Sequence, residues 1–269
     1  MTRQDLNSTR TGYRIKPTPL VGGAVILAYM GLTFALQLST GLEYSEWLST
    51  AGNGLKAAVI PLAVGSALLI AFLAVARWDM IWRDPGQLPV TRVMKVAMVV
   101  FVGTILVRFA GMDWGSIGLD LLLVVIAAGI LVGFAEETLF RGIVLRSFRT
   151  SGRTEAKAML WMSLLFGLFH LPNTLVAGPT QVFQVITAAM TGATLYAFRR
   201  YRGLLLTGMI AHAIWDMSTF LAAEHSRDWS TSLGTLLFIV SFVLGVAVVV
   251  SVWRTDQTTV VTPAGIEQK

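Results

Sequence analysis

Long apolar runs joined by short polar segments make up most of the chain. They fall at Leu20–Leu38, Ala57–Ala76, Val93–Val107, Leu121–Leu145, Ala158–Leu171, Thr180–Phe198, Gly203–Ala223 and Thr231–Trp253. Most approach the roughly 20 residues that carry a helix across about 30 Å of hydrocarbon, so the pattern predicts an all-α polytopic membrane protein with about eight transmembrane helices. The first run is too long for a signal-peptide core and has no clear small-residue cleavage site, which makes it a helix of the fold. The fifth is short, roughly 21 Å at about 1.5 Å per residue before Pro172. The uncharged PNTLVAGP that follows it can dip into a bilayer only against protein or a water-filled cavity. No repeat, linker or low-complexity block divides the chain. A single transmembrane helical domain over 20–254 is expected, with a cytoplasmic N-terminal tail at 1–19 and a cytoplasmic C-terminal tail at 255–269.

The basic residues orient this array. Seventeen of the 21 Lys and Arg fall at one set of helix ends, Arg141 sits inside a run, and only Lys56, Arg108 and Arg227 lie at the opposite ends. Positive charge marks the cytoplasmic side, so both termini are expected there, in a multi-pass protein of the plasma membrane. Tyr and Trp border the runs on both sides, Trp78 and Trp114 among them, as interfacial belts do. Composition agrees: 55% of residues are hydrophobic and 13% charged, with a mean hydropathy of +0.68, which excludes an ordinary soluble domain. The net charge of +6 is scattered at run ends. It reads as topology and predicts no nucleic-acid partner. The absence of cysteine removes disulfides, thiolate metal sites, a thiol nucleophile and a lipid-modified terminal cysteine. Chemistry is left to oxygen and imidazole groups.

Those groups stand out because they interrupt apolar runs. Glu136, Glu137 and Arg141 fall in the middle of LLLVVIAAGILVGFAEETLFRGIVLRSFR, where each charged side chain costs roughly 2.5–3.5 kcal/mol to insert. Two of the three histidines, His170 and His212, also lie inside runs, and Asp216 follows His212 by one helical turn. His225 lies in a polar loop and reads as solvated. Counting inward from the basic residue that marks each helix end, Glu136 and His170 are both thirteen residues deep, His212 ten and Asp216 fourteen, or roughly 20, 20, 15 and 21 Å. Four groups from three helices thus share one level of the bilayer. Glu137 and Arg141 are spaced i,i+4 in the favourable order and can neutralise each other. Glu136 points about 100° away and can face a cavity. Gly129 and Gly133 form a GxxxG pair that would admit a close neighbouring helix. Two carboxyl groups and two imidazoles at one depth are what activation of a water requires, with Glu136 and His170 holding it.

Three motifs occur in order: Glu136-Glu137-Thr138-Leu139-Phe140-Arg141 as EExxxR, Phe166-Gly167-Leu168-Phe169-His170 as FxxxH, and His212-Ala213-Ile214-Trp215-Asp216 as HxxxN/D. Together they resemble the CAAX prenyl protease and bacteriocin-processing family of intramembrane glutamic endopeptidases, the abortive-infection membrane proteins, over about Leu121 to Phe220. The resemblance implies a metal-free protease in which Glu136 is the general base and His170 its partner. It further implies that His212 and Asp216 stabilise the oxyanion, and that Glu137, Arg141 and Phe166 support the site. Asp216 stands where the family often has Asn; ionised, it would repel an oxyanion, so it is expected to be protonated, paired with His212, or in another role. The implied substrate is a membrane-associated peptide or prenylated protein met in the lipid bilayer. The residues also leave open a Zn²⁺-dependent protease, since Glu, His and Asp are plausible ligands, an ion-coupled transporter, and a non-catalytic immunity or scaffold protein.

Overall fold

The computed structural model describes residues 12–78, 81–263 and 265–268. Eight long helices follow the eight apolar runs: α1 (Pro19–Leu38), α2 (Ala51–Ala76), α3 (Arg92–Ala110), α4 (Leu119–Thr150), α5 (Glu155–Val176), α6 (Val182–Arg200), α7 (Leu205–His225) and α8 (Asp228–Thr255). Their starts obey local chemistry. Thr18 accepts from the Val21 amide with Pro19 in the first turn of α1, and Thr50 and Thr91 cap α2 and α3 in the same way. Each takes an amide that the helix itself cannot satisfy.

Seven of these helices are long and apolar enough to cross a membrane. The expected eighth, α6, is 19 residues long but carries Gln184, Thr187, Thr191 and Thr194 along its length. It is packed among α5, α7 and α8, with Thr194 buried in protein and Gln184, Thr187 and Thr191 turned to an internal cavity instead of lipid. The helical part of α5 proper is Glu155–Leu168; turns through Pro172 and a short helix at Asn173–Val176 prolong it.

Glycine sets the helix spacing. A Cβ on Gly133 would come within 2.5 Å of the Met209 carbonyl oxygen, and one on Gly129 within 2.5 Å of Met217 Cγ. The GxxxG pair therefore seats α7 directly on α4. Gly167 does the same for α5 against the Val185 carbonyl of α6, at 2.5 Å. Directly after the two glutamates, Thr138–Val144 forms a π-helical turn in α4, buried at every residue. Such wide turns are rare and recur at functional sites.

The basic ends of the helices meet in a compact cap. Asp84 Oδ1 receives Arg149 at 2.8 Å and Arg199 at 2.6 Å, and Arg149 also grips Glu155 through two nitrogens, at 2.6 and 2.8 Å. Arg200 pairs with Asp256 at 2.6 Å. Trp78, expected at the interface, is buried instead and donates to the Ile15 carbonyl at 2.7 Å, while Arg146 donates to the Tyr13 hydroxyl. Most of the expected N-terminal tail, including Arg3 and Arg10, lies outside the described residues. Within 255–269 the chain forms an antiparallel hairpin, β1 (Thr259–Thr262) with β2 (Gly265–Gln268), whose Val260 and Val261 are buried against α4 and α5.

Candidate functional site

The site begins where α4 changes from α to π geometry. Glu136 and Glu137 diverge as adjacent helical residues must. Glu137, with no exposed surface, turns toward protein: its Oε1 accepts from Arg141 at 2.7 Å and from His212 Nδ1 at 2.9 Å. Arg141 is equally buried and extends across to α6, donating to the Gly192 carbonyl at 2.9 Å while its guanidinium lies 4.3 Å from the Phe166 ring centre. That stacking gives Phe166 a definite task, since a desolvated guanidinium on an aromatic face is worth roughly 2 kcal/mol. Gly192 and Gly208 leave room for this bracket: a Cβ on Gly208 would sit 2.6 Å from Glu137 Oε2, and one on Gly192 3.0 Å from the Phe166 ring.

Glu136 faces the other way, into a cavity of about 640 Å³. Its Oε2 is buried and without a hydrogen-bond partner. His170, His212 and Asp216 line the same cavity. His212 Nε2 lies 3.8 Å from Glu136 Oε2 and 3.7 Å from Asp216 Oδ2, beyond hydrogen-bond length yet close enough for charge to matter.

Partners fix the ring tautomers. His170 Nδ1 is 2.9 Å from the Phe166 carbonyl oxygen, which can only accept, so the proton is on Nδ1 and the neutral ring keeps a lone pair on Nε2. His212 Nδ1 likewise donates to the Glu137 carboxylate. Phe166 thus touches the site three times, holding His170 through its carbonyl and meeting both imidazole rings edge to face at 5.2 and 5.8 Å. His225 is elsewhere, bonded to Ser116 at 2.7 Å.

All seven residues singled out from the sequence are therefore gathered at one place. Four face the cavity together with Phe166, while Glu137 and Arg141 form the bracket behind it. The remaining wall carried no sequence motif: Tyr29, Thr33 and Gln37 of α1, Asn173 of α5, and Gln184, Thr187 and Thr191 of α6. One signal was present in Tyr29, an aromatic hydroxyl in mid-run, away from the borders where belts form.

Residues 118–218 match the family model described as type II CAAX prenyl endopeptidase Rce1-like. The motif-bearing segment is what carries this similarity. The chain matches no curated protein and no solved structure. The matched segment opens at the residue before α4 and closes two residues after Asp216, so it holds the glutamates, both site histidines and the Asp. The cavity is larger than that segment. Tyr29, Phe34, Tyr44, Leu62 and Phe238 complete its wall from α1, α2, α8 and the loop after α1.

Proposed function

We propose that the protein is a membrane-embedded endopeptidase in which Glu136 activates a water molecule for attack on a peptide bond. The observation that carries this reading is the unpartnered carboxylate oxygen of Glu136, aimed into a cavity that His170, His212 and Asp216 share. A buried carboxylate oxygen without a donor forfeits roughly 1–3 kcal/mol or more. A water and a substrate supply the missing partners.

The chemistry follows from the ring tautomers. A water in the cavity can donate one hydrogen to Glu136 Oε2 and the other to His170 Nε2, both acceptors. As the water oxygen bonds to the carbonyl carbon, Glu136 takes its proton and the carbonyl oxygen becomes an oxyanion. His212, protonated on both nitrogens, donates from Nε2 to that oxyanion, with Glu137 on its other nitrogen and Asp216 balancing its charge. In this role Asp216 is paired, which removes the repulsion that a free carboxylate would exert. Collapse of the intermediate breaks the C–N bond, and Glu136 returns its proton to the leaving amine. Arg141 and Glu137 hold His212 in register and do not touch the substrate.

Among the described residues, no three His, Asp or Glu side chains are grouped as ligands of one metal ion. The glutamate route is therefore tested beside a chelator. Purified protein in liposomes should cleave members of a panel of prenylated and unmodified peptides, and Glu136→Ala and His170→Ala should abolish cleavage in protein that still folds. Activity retained by both variants refutes the assignment; activity lost on chelation transfers it to a metal-dependent protease.

A further inference from the structure

The mouth of the cavity indicates which face of the membrane supplies the substrate. From the catalytic level the lining continues through Gln37 at the end of α1, Tyr44 and Trp47 in the loop after it, Asn173 near the end of α5, Gln184 in the first turn of α6, and Glu224 at the end of α7. Each belongs to the helix ends opposite the arginine-rich cap. In the other direction the path is closed. Leu139, Phe140, Ile143 and Met162 have no exposed surface, and the ion pairs of Asp84, Arg149, Glu155 and Arg199 lie beyond them. Among the described residues, no member of that ion-pair cap lines the cavity.

Charge separates the same two faces. The mouth-bearing ends hold Glu43, Glu46, Asp113, Asp120, Glu224 and Asp228 against only Lys56, Arg108 and Arg227, while the capped ends hold seventeen of the 21 basic residues. A bias of that size places the capped ends in the cytoplasm.

We infer that the site is loaded from the non-cytoplasmic face, so that its substrate is a peptide segment presented at the outer surface of the membrane, not the cytoplasmic C-terminus of a prenylated protein. The access route stands on the cavity and the charge distribution alone; the peptide nature of the substrate rests on the endopeptidase reading. The cavity suits an extended peptide. Its volume is in the roughly 300–1,000 Å³ range of small-ligand sites, and Gln37, Asn173, Gln184 and Thr191 offer backbone-matching donors and acceptors along an otherwise apolar wall. Glu224 is the acid that lines the mouth itself, and it favours a peptide with a basic residue flanking the cleaved bond.

The lack of cysteine makes the route measurable against a silent background. Ser45→Cys at the mouth, Thr191→Cys inside the cavity and Ser151→Cys at the capped end should be exposed to a small charged thiol reagent in right-side-out and inverted vesicles from expressing cells. Ser45→Cys and Thr191→Cys are expected to react in right-side-out vesicles, and Ser151→Cys only after inversion. Gln37→Cys provides a second cavity position should Thr191→Cys fold poorly. The inference is overturned if the cavity cysteines react only in inverted vesicles or from neither side, or if Ser45→Cys is silent in right-side-out vesicles. In the same preparations a basic-flanked peptide should be cleaved when added outside right-side-out vesicles and not outside inverted ones; the reverse pattern overturns the substrate assignment. Labelling reads the route whether or not any peptide is cut, so a failure of the endopeptidase reading leaves a distinct signature.

Discussion

Among the described residues two groups of buried charge are built on different terms. In the cap each buried acid is held by an arginine, although the Nε groups of Arg199 and Arg200 keep no acceptor. Glu155 accepts from Arg149 on both carboxylate oxygens and from the Tyr196 hydroxyl at 2.5 Å, and Asp84 is held between Arg149 and Arg199. In the cavity cluster, Glu136 and Glu137 each keep one oxygen without a hydrogen bond, and three carboxylates surround one imidazole. A matched network holds helices together and does nothing else. An unmatched one, held at a cost in stability, is able to bind and to transfer protons.

The sharpest way to break the comparison is to neutralise one acid in each region. Glu136→Gln keeps size and removes the base, and should lower the cleavage rate on the order of 10²–10⁴-fold while leaving the unfolding temperature at or above that of the parent. A large loss of stability would place Glu136 with the structural pairs. Glu155→Ala should behave in the opposite sense. Arg149 keeps Asp84 but loses both Glu155 contacts, and Tyr196 loses its acceptor, which costs roughly 1–3 kcal/mol or more of stability, read as a fall in thermal midpoint in detergent, with little change in the rate of the folded fraction. A stable Glu155→Ala protein would show that the cap is not a structural network.

Acid sharpens the same contrast. Burial alone would raise the pKa of Asp84, but the guanidiniums of Arg149 and Arg199 outweigh it and hold the carboxyl at about 2, below its ordinary 3.8. A group depressed in the folded state stabilises it above the unfolded pKa and loses that contribution as pH falls. The cap should therefore weaken between about pH 4 and pH 2, by about 2 kcal/mol. Tryptophan-monitored melts across that range should show this slope, and Asp84→Asn should flatten it; an unchanged slope in Asp84→Asn removes Asp84 as the cause. The smallest effect is expected of Asp216→Asn. It preserves shape and withdraws only the charge that balances His212, so a change in rate of within about tenfold is expected, near 1.4 kcal/mol. A loss as large as that of Glu136→Gln would make Asp216 a direct participant.

Hydropathy along a chain reveals what is costly and hides what is cheap. Glu136, Glu137, Arg141, His170, His212 and Asp216 were legible because each interrupts an apolar run at several kcal/mol of insertion cost, and helical rise alone brings the four cavity-facing groups among them to one depth. Thr33 and Thr187 were not legible, because a helical threonine returns its hydroxyl to the preceding turn, at 2.9 Å to the Tyr29 carbonyl and 2.8 Å to the Phe183 carbonyl, and so leaves no mark on the hydropathy pattern. Charge counting orients the chain through the other thirteen basic residues at the capped ends but misplaces four. It treats Arg146, Arg149, Arg199 and Arg200 as markers in the headgroup layer, yet all four are buried, three of them ion-paired with acids on other elements. A count along the chain records sign and order but not partnership. The β1–β2 hairpin escaped for want of length, since two four-residue strands gain their stability only by packing on helices.

The π turn at Thr138–Val144 makes α4 two rods joined by a slack coupling. One rod is keyed to α7 by the glycine seam, the other is locked into the cap by Arg149, and the two glutamates sit at the coupling. Insertion or deletion of a single residue in that turn would rotate one rod against the other by about 100°, so that either the glycine seam or the Arg149 cap loses its register and Arg141 is carried off Glu137. The number of residues between Glu137 and Arg149 is therefore as much a part of the site as the side chains are.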